Sequence, residues 1–116
     1  MKDKFTFENL SVYNKSLDFC IRACKIAGNF PPKFFNIKDQ LIRAALSIPL
    51  NIAEGCGRKT IKDKNNFYRT ARASVFELIP ILEICLSMDL MDKNIYYEYR
   101  ENCVELSKML SGLIKS

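Results

Sequence analysis

Apolar residues in this chain recur at three- and four-residue intervals almost from end to end, and that period admits little besides helices packed on helices. Leu10, Tyr13, Leu17, Cys20, Cys24 and Ala27 are spaced 3-4-3-4-3, and Gly28-Asn29 followed by Pro31-Pro32 supplies a stop. Asn36 as N-cap, with Asp39 three residues on, opens a second run through Ile37, Leu41, Ala44 or Ala45, Ile48 and Ile52 to Gly55 and Gly57. Thr60 with Asp63 makes a capping-box-like start for a third run through Tyr68, Ala71, Val75, Leu78, Leu82 and Cys85. Asp92 caps a fourth, in which Tyr96, Tyr99, Cys103, Leu106, Leu110 and Leu113 repeat the 3-4-3-4-3 spacing. No sustained period-two alternation and no Asn-Gly or Asp-Gly dipeptide signals a strand or hairpin.

These runs predict helices over about 9–29, 37–55, 61–88 and 93–114. The connections between them are short, which makes consecutive helices antiparallel neighbours and the fold an all-α, up-down-up-down four-helix bundle. With 116 residues the chain has the size of one domain, and folding at that length buries roughly two-thirds of the unfolded surface. Phe5 and Phe7 are expected to tether the N-terminal residues against the first helix. The richest apolar stretch, Val75 to Leu90, is broken by Glu77, Pro80, Glu83 and Asp89, so no membrane span is expected.

Composition removes several chemistries. The chain has no histidine, and so no histidine-based triad or histidine metal ligand. Its five cysteines are odd in number and lack a Cys-x-x-Cys pair, against both a disulfide framework and a zinc ribbon. Cys20 and Cys24 share a helix face, but the rest of that stripe is apolar, and packed thiols are the reading for all five. No metal, cofactor or catalytic residue is assigned. The acidic pairs lie at ordinary helix-surface spacing, and Gly55-Cys56-Gly57-Arg58-Lys59-Thr60 lacks Walker spacing, so an enzyme is not expected. That glycine segment leads into a helix N-terminus beside two cations, which makes a bound anion one reading of it. The N-terminal residues carry charge without an apolar signal region, and the expected location is the cytoplasm.

The most distinctive stretch is Ser47 to Gly55, reading Ser-Ile-Pro-Leu-Asn-Ile-Ala-Glu-Gly. Pro49 inside a helix frees the Ala45 carbonyl, and Ser47 or Asn51 is placed to satisfy it. On one reading Ser47, Asn51 and Glu54 are internal hydrogen-bonding groups around a kink, with Gly55 as the C-cap. On the other, Asn51 and Glu54 touch a ligand. Pro80 is expected to kink the third helix similarly.

This stretch resembles the signature of the 23S rRNA intervening-sequence protein family, and the likeness covers nearly the whole chain. Phe7, Leu10, Val12, Tyr13, Lys15 and Ser16 are similar to the family's opening pattern, and Phe30-Pro31 to its Phe-Pro turn. Gln40, Leu41, Ile42, Arg43, Ala44 and Ala45 resemble its Gln-Ile-Arg-Arg-Ala-Ala run, and Ala71, Ser74, Glu77 and Leu78 its Ala-x-x-Ser-x-x-Glu-Leu segment. Leu50, Pro80 and Ile61-Lys62-Asp63 depart from the pattern. The resemblance implies a left-handed bundle that assembles as a homo-oligomeric ring, commonly a pentamer. It also implies a distant similarity to accessory proteins of diversity-generating retroelements, and hence an RNA-handling enzyme as a further possible partner.

Charge is unevenly divided, with 14 basic and 6 acidic residues through position 72 but 4 basic and 7 acidic beyond it. Arg58, Lys62, Asn65, Arg69 and Arg72 follow 4-3-4-3 spacing along the third helix, and Lys59 and Lys64 add charge beside them. Such a stripe neutralises phosphates without reading sequence. A solvated, solubilising face is the competing reading. Farther along, Phe76 and Ile79 continue the stripe on an apolar footing, while Ile81 and Ile84 point elsewhere around the wheel. That half of the helix is apolar on more sides than one core covers, which predicts an oligomer interface unless Pro80 turns these residues inward. Glu98, Glu101 and Glu105 offer an acidic counterpart for a neighbouring copy. The resulting expectation is a self-associating accessory protein that binds nucleic acid, RNA rather than DNA. The alternative is a structural or protein-interaction module with no nucleic-acid role.

Overall fold

The computed structural model describes residues 3–115. Four helices account for most of them: α1 (Ser11–Ala27), α2 (Phe35–Cys56), α3 (Ile61–Ser87) and α4 (Lys93–Leu113), with short 3-10 turns at Thr6–Asn9 and Pro32–Phe34. No strand occurs among the described residues. Contacts join α1 to α2, α2 to α3, α3 to α4 and α4 back to α1, while the diagonal pairs stay apart, as in an antiparallel four-helix bundle. Phe19, Leu41, Ile48, Ile52, Leu78, Leu82, Leu106 and Leu110 are fully buried at its centre, each stabilising the fold by about 1.5–3 kcal/mol relative to exposure.

Local chemistry sets the helix ends. The Thr60 hydroxyl accepts from the Asp63 N–H at 3.1 Å, and the Asp92 carboxylate accepts from the Ile95 N–H at 2.9 Å, so both expected caps form. α3 ends in a Schellman arrangement: the Leu90 N–H donates to the Cys85 carbonyl at 2.8 Å and the Asp89 N–H to Leu86 at 3.1 Å. Asp89 takes the left-handed position, with φ 58°. Phe7 meets Tyr13 edge-on at 4.8 Å and stacks on Phe5 at 5.7 Å, tying the leading turn to α1.

Three local expectations are corrected. Asn36 is not an N-cap, because the turn at Pro32–Phe34 runs directly into α2 and starts it at Phe35. Gly55 is not a C-cap. It lies inside α2, buried, and a Cβ there would sit 2.8 Å from the Tyr68 ring and 2.9 Å from the Phe67 Cβ. Glycine is required because α2 and α3 approach too closely for any side chain. The buried face of α1 is Val12, Ser16, Phe19, Cys20, Ala23 and Ala27, whereas Leu17 is exposed. Ser16 and Ala23 permit close helix approach, and a reading weighted by hydrophobicity passes over such small residues.

Candidate nucleic-acid interface

The cations predicted to form one stripe divide into two groups. Arg58 pairs with Glu54 at 3.0 Å and lies over the Phe67 ring, 4.7 Å from its centroid. Lys64 donates to the Cys56 carbonyl at 2.8 Å, and Arg72 to the Ser111 hydroxyl at 3.1 Å. These three hold the start of α3 against the end of α2 and the end of α4. Lys59, Lys62 and Arg69 are exposed and have no hydrogen-bonding or ionic partner among the described residues. They present free charge outward from one end of the bundle. The stripe is also interrupted: Asn65 is buried, and its side chain is bonded to the Lys115 backbone instead of facing solvent. An amide set among four cations was the only sequence signal of that contact.

Two amides of the glycine segment are taken within the chain. The Gly57 N–H is taken by the carbonyls of Ala53 and Glu54, and the Arg58 N–H by that of Gly55, so these amides close the last turn of α2.

The polar signature resolves into a clamp and an outward pair. Asn51 donates to the Ser47 carbonyl at 2.7 Å and to its hydroxyl at 3.0 Å. The Ser47 and Ser74 hydroxyls are 2.7 Å apart, and Ser74 reaches the Thr70 carbonyl at 3.1 Å. One assignment satisfies every group: Asn51 donates to Ser47, Ser47 to Ser74, and Ser74 to Thr70. The acceptor that Asn51 reaches is the Ser47 carbonyl, not that of Ala45. Glu54 stands outside the clamp because it faces Arg58, and Glu77 is exposed at the mouth of a 280 Å³ groove lined also by Gln40, Arg43, Ala44, Ser47 and Ser74.

On the apolar half of α3, Phe76 is 63% and Ile84 48% exposed. Ile79 packs partly against the core, and Ile81 is buried within it. Ile81 therefore leaves the expected interface: it stands three residues after Leu78 and four before Cys85, in line with the core stripe. The exposed pair is flanked by two apolar grooves, one of 210 Å³ that includes Phe76, Ile79 and Val104, the other of 170 Å³ that includes Ile37, Ile81 and Ile84. The acidic row of α4 is used differently from expectation. Glu98 pairs with Arg22 at 2.6 Å and Glu105 with Lys15 at 2.7 Å, both within the same chain. Only Glu101 of the three makes no ion pair among the described residues.

All five cysteines are free thiols. Burial pushes Cys20 and Cys85 up to about 11 and Cys103 to about 12, and the Cys24 neighbour adds to the rise at Cys20. Such thiols stay protonated and poorly nucleophilic at neutral pH. No group of three or more His, Cys, Asp or Glu among the described residues is arranged to hold a metal ion, and no helix there is long and apolar enough to cross a membrane.

The fold and this surface define a class: a small antiparallel helical bundle with free cations near the start of α3 and exposed apolar side chains farther along it. The family of 23S rRNA-intervening sequence proteins matches the chain over residues 8–112, and the chain belongs to that family. Among solved structures it is similar to a protein of unknown function of the S23 ribosomal protein family from Bacteroides thetaiotaomicron VPI-5482, with 27% identity, 90% of this chain and 99% of that chain covered, and a TM-score of 0.82. No curated protein matches the chain significantly.

Proposed function

We propose that this protein is a non-enzymatic, cytoplasmic accessory protein that binds the phosphate backbone of RNA as a homo-oligomer, through the cationic end of α3. The observation that carries the reading is the outward set of Lys59, Lys62 and Arg69, which no anion of the same chain neutralises among the described residues. A polyanion supplies the missing counter-charge, and release of its condensed cations drives binding without base recognition. Tyr68 is buried and Phe67 lies under Arg58, so the contact is electrostatic rather than built on base stacking. Membership in a family named for an rRNA intervening sequence supports RNA as the polyanion.

Phe76 and Ile84 are the residues through which copies associate, with a pentameric ring as the proposed assembly. A ring multiplies a modest cationic patch, so that several weak contacts act together on one RNA. The test is RNA affinity against salt for the wild type and for a variant with Lys59, Lys62 and Arg69 all changed to Gln. The wild-type affinity falls steeply with salt, and the variant loses roughly 0.7 from the log–log slope for each phosphate contact removed. Equal slopes reject the site.

The apolar grooves beside Phe76 and Ile84 favour a second reading, a protein-interaction module in which the cations serve only solubility. Light scattering separates the two at the level of assembly. A strict monomer at micromolar concentration removes the ring and leaves the grooves for another protein.

A further inference from the structure

The α4 helix stops at Leu113, and Ile114 turns extended, with φ −73° and ψ 125°. The next residue then crosses to α3. The Lys115 N–H donates to the Asn65 side-chain oxygen at 3.0 Å, and the Asn65 amide donates back to the Lys115 carbonyl at 2.5 Å. Asn65 itself is 5% exposed, so this is a buried primary amide with both faces used on one backbone unit 50 residues away. An asparagine costs helix propensity in the interior of α3, and the two hydrogen bonds it makes here are both to main-chain atoms. It fixes where residue 115 lies, whatever the side chain there.

That position is next to the cationic end. Lys115 and Lys64 line the same small pocket together with Ile61, Asn65, Tyr68 and Leu113. Lys115 is exposed and makes no ion pair among the described residues. Lys62 and Arg69 stand one turn to either side of Asn65 along α3.

We propose that Asn65 positions the C-terminal segment so that Lys115 becomes part of the phosphate-contacting face otherwise formed by Lys59, Lys62 and Arg69. This rests on the RNA reading above and extends it: the interface is composite, built from α3 and from the segment that follows α4. Asn65 is a positioning residue and touches no phosphate itself.

The test compares Lys115→Gln, Asn65→Ala and the double variant, with Lys25→Gln as a control that removes one charge from the last turn of α1. Each is titrated with a fluorescein-labelled oligouridylate over a range of salt. Lys115→Gln lowers the log–log slope by roughly 0.7. Asn65→Ala lowers it in the same direction, and the double variant matches Lys115→Gln, because the asparagine acts only through the lysine. The Lys25 control keeps the wild-type slope. In parallel, hydrogen exchange at the Lys115 amide, slow in the wild type, becomes fast in Asn65→Ala. If Asn65→Ala fails to fold, Lys115→Gln decides alone, since that side chain is exposed.

A wild type with salt-dependent binding that neither Lys115→Gln nor Asn65→Ala alters overturns this inference and leaves the RNA reading standing. A lower melting temperature of Asn65→Ala with an unchanged slope makes the clamp purely structural and also overturns it. A wild type that binds no oligouridylate overturns both.

Discussion

The seam between α2 and α3 and the seam between α1 and α4 are built on opposite principles. At the first, Gly55 lets α2 settle against the Tyr68 ring and the Phe67 Cβ, and the Ser47–Ser74 clamp closes the middle. At the second, the helices meet sparsely, and charged side chains bridge them across a polar cleft of 590 Å³. Arg22 is the hub there, bonded to Asp18 at 3.0 Å, Glu98 at 2.6 Å and Asn102 at 2.9 Å, with its guanidinium 5.4 Å from the Tyr99 ring centroid. Phe67 and Tyr68 precede Arg69 on α3, so the close approach at Gly55 fixes the start of the helix that carries Lys62 and Arg69. The signature Ser47 to Gly55 is a packing device.

The largest effect comes from filling the close approach. Gly55→Ala gains up to about 1 kcal/mol in helix propensity, but overpacking against two ring-bearing residues costs roughly 1–3 kcal/mol. Chemical denaturation is expected to find the variant less stable by up to about 2 kcal/mol; a more stable variant would show that the helices separate freely. Ser74→Ala is next. It strips the Ser47 hydroxyl of its acceptor within a half-buried network, and the same measurement should register a loss of about 1 kcal/mol.

Arg22→Ala at the open seam has a smaller effect. Its ionic partners Asp18 and Glu98 are 70% and 59% exposed, so the pairs are screened and contribute about 0.5–1 kcal/mol together at low salt. Repeating the measurement in molar salt should erase the ionic part of that difference, leaving what the Asn102 hydrogen bond and the Tyr99 contact contribute, whereas the Gly55 penalty should persist. The smallest effect at neutral pH belongs to the buried thiols. Their folded values of about 11 to 12 lie above the ordinary 9.0, so their contribution is complete below pH 9 and declines as the pH rises toward 12. Alkaline unfolding followed by circular dichroism should accordingly begin near pH 9, and replacing Cys103 with Ala should weaken that alkaline dependence.

The two seams also differ in how far they could be read from the chain alone. Periodicity locates all four helices, because burial on one face is written into residue type, and the caps at Thr60 and Asp92 follow from local chemistry. Gly55 looked like punctuation because a glycine near a helix end ordinarily is; only the neighbouring helix reveals it as a contact. Glu98 and Glu105 have no visible partner in the sequence, because Arg22 and Lys15 lie 76 and 90 residues away. The cationic stripe was legible as charge but not as geometry. Which cations are free depends on acceptors such as the Cys56 carbonyl and the Ser111 hydroxyl, and a helical wheel contains neither.

The proposed RNA-binding role of Lys59, Lys62 and Arg69 is open to a direct measurement. The direct measurement is purification from cells with nuclease omitted, followed by size-exclusion chromatography with light scattering and nucleic-acid absorbance on the eluted species. The expected species is an oligomer carrying RNA, and an oligomer of the same protein stoichiometry without it when Lys59, Lys62 and Arg69 are changed to Gln. A clean oligomer of the wild-type protein, free of nucleic acid at low salt, would contradict that role.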